Sequence, residues 1–166
     1  NSVAPGWVDT EMAAPAYGGD GKERMGRAIP VGRVASPRDV AGPIVNVETG
    51  DLHLVAGQDI GEAGNFFDVL VGGDLSGTAG HDVFINSPAD LNITTLASTH
   101  GDITLTVQGD TDIGLLRARE GVVTITADGD IDDRYGDASA DIESVSVVLD
   151  SVGGTTGTVL NPLDID

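Results

Sequence analysis

The sequence predicts a mainly β chain: a parallel β-helix, or solenoid, with rungs of about 20 residues, preceded by a short α/β segment. Three observations predict it. Gly101-Asp-Ile-Thr-Leu-Thr-Val107 and Gly121-Val-Val-Thr-Ile-Thr-Ala127 alternate apolar with small polar residues, the pattern of a strand with one buried face. The second segment begins 20 residues after the first, and a fixed step means stacked turns rather than one closed sheet. Gly-Asp pairs then punctuate the chain where such turns need corners: Gly50-Asp51, Gly73-Asp74, Gly101-Asp102, Gly109-Asp110 and Gly129-Asp130. Glycine admits positive φ at a corner, and an aspartate side chain accepts hydrogen bonds from nearby backbone amides.

In chain order, Asn1 to Met12 reads as the end of a strand, a Pro5-Gly6 turn and a polar loop. Ser36 is placed to cap a helix, with Pro37 at its first position and Asp39 in its first turn. From residue 81 the strand-like segments are 81–85, 101–107, 121–127 and 141–149, with shorter apolar segments at 90–93, 112–115 and 130–131. The expected interior is Val83, Ile85, Ile103, Leu105, Val107, Val123, Ile125, Ala127, Val145, Val147 and Leu149. Thr104, Thr106, Thr124 and Thr126 are expected to point outward, since β-branched threonine favours extended backbone.

Composition divides the chain. The 166 residues carry 27 acids against 8 Lys and Arg, a net charge of −19. Five of those bases and five acids lie in residues 1–45, so the imbalance belongs to the rest, which also holds only two of the seven prolines. This shift predicts two regions: residues 1–64, with a boundary anywhere from 45 to 65, and a repeat region over 66–166. An acidic repeat repels nucleic acid and anionic membrane, and no apolar run approaches the roughly 20 residues of a membrane span. The absence of cysteine excludes disulfides and thiolate metal sites. Without an initiator Met or a signal peptide, the sequence reads as an internal piece of a longer chain.

Two resemblances add to this reading. Asn1-Ser-Val-Ala-Pro-Gly-Trp-Val-Asp-Thr10, then Pro30-Val-Gly-Arg33, then Pro37-Arg-Asp-Val-Ala41 resemble the C-terminal part of a short-chain dehydrogenase/reductase, and His53 to Gly64 is similar to that family's closing strand. The resemblance implies an NAD(P) site relic at Pro5, Gly6, Val8 and Thr10, and by itself a cytoplasmic location. The sequence departs from the family elsewhere. It has no Gly-rich turn feeding a helix, and Lys22, the sole lysine, stands five residues from Tyr17 rather than four. Hydride transfer by this chain alone is not expected.

The stretches Gly101 to Val107, Gly121 to Ile131 and Val152-Gly-Gly-Thr-Thr-Gly-Thr-Val-Leu-Asn-Pro-Leu163 resemble a filamentous-haemagglutinin-type β-helix of bacterial exoproteins. That resemblance implies an extracellular or cell-surface structural segment. Its partners would be neighbouring rungs of a longer chain, further copies through open ends, or a cell-surface or carbohydrate ligand. A rival is a Ca²⁺-binding β-roll, because Gly77-Thr-Ala-Gly-His-Asp-Val-Phe-Ile85 resembles one of its nonapeptides.

Among candidate sites, Asp128, Asp130 and Asp132 open like an EF-hand calcium loop. The loop's sixth position, normally Gly, is Asp133, and its twelfth, normally Glu, is Ser139, so only a looser metal site remains. His53, His81 and His100 lack the close sequence spacing of a zinc site. No serine, including Ser87, has a nucleophile's context, and nothing selects a glycosidase carboxylate pair. The expected function is therefore structural and adhesin-like, with no catalytic residues and no cofactor; Ca²⁺ and NAD(P) are the alternatives.

Overall fold

The structure is a computed structural model that describes residues 44–166, which form one compact unit, Ile44–Asp166. The segments around Pro5, Gly6, Val8, Thr10 and Ser36 lie outside the described residues. The described chain has no helix and eleven strands: β1 (Val45–Val47), β2 (Leu52–Ala56), β3 (Phe67–Val71), β4 (Asp74–Ala79), β5 (Val83–Ser87), β6 (Leu91–Ser98), β7 (Ile103–Val107), β8 (Thr111–Ile113), β9 (Leu116–Ala127), β10 (Ile131–Asp133) and β11 (Ile142–Ser151). Every strand-to-strand pairing is parallel. β1, β3, β5, β7, the second half of β9 and β11 stack on one side, while β2, β4, β6, β8 and β10 stack on another. Parallel neighbours that are far apart in sequence are what a coiled stack produces, since each strand pairs with its counterpart one turn away. The fold is a β-solenoid of about five turns.

The step is 20 residues where the sequence repeats: Val83 aligns with Ile103, and Ile103 with Val123. In-register stacking makes interior columns such as Ile85–Leu105–Ile125–Leu149 and Leu75–Ile93–Ile113. Val83, Ile85, Ile103, Leu105, Val107, Val123, Ile125 and Ala127 are buried as expected, and the four threonines lie on the opposite, half-exposed face. One interior expectation is corrected. Val145 is 70% exposed, because the β9–β11 register slips between Ser144 and Ser146 and turns it outward. Val147 and Leu149, past the slip, pack partly buried against the core.

The solenoid also begins before residue 66. β1 and β2 pair with β3 and β4, so His53 to Ala56, in the stretch that resembles a dehydrogenase's closing strand, is a strand of the first turn. The last turn is longer. Leu116 aligns with Ile142, and the extra residues form a loop over 134–140 between β10 and β11. The segment from 155 to 166 closes above it through bridges of Thr156 to Ile131 and Ile165 to Ile142.

At the Gly-Asp corners the aspartates accept backbone amides as expected, but most of the glycines serve a different purpose. Of the five glycines only Gly50 has a positive φ, of 104°. The others are glycine because a carboxylate and the backbone of the turn below occupy the place of a side chain. A Cβ on Gly73, Gly101, Gly109 or Gly129 would come under 3.0 Å from Oδ1 of Asp51, Asp82, Asp90 or Asp110 respectively.

Candidate functional site

The charged groups follow the turns. At one corner Asp59 Oδ1 accepts the backbone N–H of Asp82 at 3.0 Å, Asp82 that of Asp102 at 2.8 Å, and Asp102 that of Val122 at 2.8 Å. At the next corner Asp90 accepts from Asp110 at 3.0 Å, Asp110 from Asp130 at 2.8 Å, and Asp130 from Thr155 at 2.6 Å. Each carboxylate thus satisfies a corner amide that the strand ladders leave free, a charge-assisted bond of the stronger kind. Much of the acidity is therefore structural, and Asp130 is one link in the chain of bonds.

A second acidic row runs beside the second ladder. Asp132 aligns with Asp112, Asp112 with Asn92, and Asn92 with Asp74. Burial raises the Asp112 pKa, Arg134 opposes the rise, and Asp110 and Asp90 add to it. The Asp132 pKa is also raised, by burial first and then by Asp130, Asp112, Asp110 and Asp133. Arg134 reaches along the row to Asp74 Oδ1 at 2.7 Å, with its guanidinium 5.9 Å from the Tyr135 ring centre. In the last turn Glu143 sits between Arg117 and Arg119, at 2.9 Å and 2.7 Å, which holds its pKa down at about 2. Arg119, Glu143, Ser144 and Asp166 line a depression of about 270 Å³ beside this pair of ion contacts.

The expected metal residues do not converge on one point. Asp128 is exposed, Asp130 is bonded to Thr155, and Asp132 stands in the row above Asp112. Among the described residues no three His, Cys, Asp or Glu groups are arranged to hold a metal ion. Asp82, the aspartate of the β-roll-like nonapeptide, carries the Asp102 amide. Ser87 is buried and its Oγ donates to Ala89 O at 2.9 Å, closing a corner before Pro88.

Two arrangements arise only from the stacking of turns. His81 and His100 come together with ring centres 6.1 Å apart, and His100 Nδ1 meets Glu120 Oε2 at 2.9 Å. The separations 81–100–120 are close to the turn length, which is the signal that would have shown the column. The second is a pair of buried carboxyls, Asp133 and Asp141, at 5% and 3% exposure.

The fold and these ladders define the chain's described part as a parallel β-solenoid. No family model matches the chain, no curated protein matches it, and no solved structure matches it.

Proposed function

We propose that this chain is a structural segment of a large secreted or surface-exposed bacterial protein of adhesin type, working as a spacer and display surface without catalysis. The supporting observation is the stack itself: apolar columns fill most of the interior, and aspartate ladders tie the corners, so side chains are committed to holding turns in register. Outward rows such as Thr104–Thr124 and Thr106–Thr126 leave a regular polar face, the form in which a solenoid offers a carbohydrate or cell-surface ligand a binding surface. The resemblance of residues 101–131 and 152–163 to haemagglutinin-type exoproteins supports the same reading.

Antibody raised against the chain should label intact cells or the culture medium of the organism that makes it. Label confined to lysed cells would contradict the proposal. A saturable quench or enhancement of Trp7 fluorescence by NADPH would replace it with the reading of a dehydrogenase remnant.

A further inference from the structure

Asp133 occupies an apolar position. It continues the interior column Leu75–Ile93–Ile113, on top of Ile113, where the repeat calls for a hydrophobic side chain. Its Oδ1 accepts the Tyr135 amide at 2.7 Å, but its Oδ2 is buried with no hydrogen-bond partner. Asp141 lies on the other side of the 134–140 loop, equally buried and within hydrogen-bonding reach of the Asp133 carboxylate. Two buried carboxylates in contact repel each other unless a proton or a cation lies between them. A cation is the poorer fit, because Ca²⁺ needs six to eight oxygens and the acids around Asp141 are not arranged to hold a metal ion.

Both residues also hold the closing segment down. Asp141 Oδ2 accepts the Asp164 amide at 2.9 Å, the Asp141 amide donates to Asp164 O at 2.8 Å, and Asn161 Nδ2 donates to Asp133 O at 2.7 Å. The groups facing Asp141 are Asp133 from β10 and Asp164 from the closing segment, both acids.

We propose that Asp133 and Asp141 form a pH-sensitive latch: one shared proton keeps the 155–166 segment closed over the last turn, and its loss releases that segment. Asp141 donates from its protonated carboxyl to Asp133 Oδ2, which supplies the partner that oxygen otherwise lacks. Burial, chiefly, and then the Asp133 charge raise the Asp141 pKa from 3.8 to about 6, with the Asp164 amide opposing. The latch is therefore shut in mildly acidic surroundings and weakens as pH rises through about 6.

The test follows the Asp141 carboxyl carbon by NMR in the full chain from pH 4 to 8, together with exchange of the Asp164 and Asp166 amides. After correction for intrinsic rates, these amides should lose roughly tenfold of their protection between pH 5 and 8. D141N, which is neutral and can donate to Asp133, should keep the segment protected across the range. D133N removes the repulsion from the other side and should do the same, so one misfolded variant does not end the test. Protection that is equal at pH 5 and 8 in the unaltered chain would overturn the latch, as would an Asp141 titration at an ordinary carboxylate pKa. Restoration of protection at pH 8 by millimolar Ca²⁺ in the unaltered chain but not in D141N would also overturn it, by placing a cation where we place the proton.

Discussion

At the scale of single residues, glycine and aspartate act as one unit in this chain. Gly129 leaves room for Asp110 Oδ1, and that oxygen accepts the Asp130 amide. Replacing Gly129 by Ala would push a methyl into the carboxylate and break the bond, so both effects fall on one corner. The expected loss is about 1–3 kcal/mol for the unsatisfied amide and the strain, measured by chemical denaturation. Asp110→Ala should cost a similar amount while leaving the glycine unstrained, and the double change should cost less than the sum. Leu105→Ala, which opens a cavity between Ile85 and Ile125, should cost about 2–5 kcal/mol.

Individual residues also show what the sequence made legible. Alternation around Ile103 and Ile125 revealed which side chains are inside, because a period of two has only one reading once a face is buried. The reason for the corner glycines was hidden, because the clash partner lies a whole turn away in sequence. The pairing of Asp133 with Asp141 was hidden likewise. A crowded acidic segment looks like a solvated turn until the register of β10 on β8 shows that Asp133 continues an apolar column.

Among the elements, β11 best shows how a repeat tolerates error. Its register slip turns Val145 to solvent and returns Val147 to the core side. Val145→Thr should therefore change stability by no more than about 0.5 kcal/mol, whereas Val123→Thr, at a fully buried position, should destabilise by more than about 1 kcal/mol. The start of the solenoid was obscured for a related reason. β1 and β2 are short and only partly buried, so their alternation is weak in the sequence. The 134–140 loop broke the 20-residue rhythm, and that rhythm was the main guide to later strands.

For the whole molecule, two shifted carboxyls set opposite limits on stability against pH. Glu143, held at about 2 by Arg117 and Arg119 against an ordinary 4.5, contributes stability that is complete above 4.5 and lost as pH falls towards 2. Asp141, raised from 3.8 to about 6, contributes stability that is complete below 3.8 and lost as pH rises through about 6. The chain should therefore melt at its highest temperature near pH 4, where the two losses balance, and lower at pH 8. In Glu143→Gln the acid limb should flatten; in D141N the neutral limb should. Net charge adds to the neutral limb, since −19 repels itself most at low salt, so the two variants separate local from global effects.

In this solenoid, residues 20 apart lie side by side on adjacent parallel turns. The chain has no cysteine, so engineered pairs report this without interference. Adjacent strands stand about 4.8 Å apart, inside the range of Cα separations that a disulfide bridges. Thr104 and Thr124 are register partners on the outer face, so T104C/T124C should oxidise to an intramolecular disulfide under mild conditions. T104C/D128C, displaced by four residues along the strand, should stay reduced. A T104C/T124C pair that stays reduced, or a displaced pair that oxidises as readily, would contradict the stack.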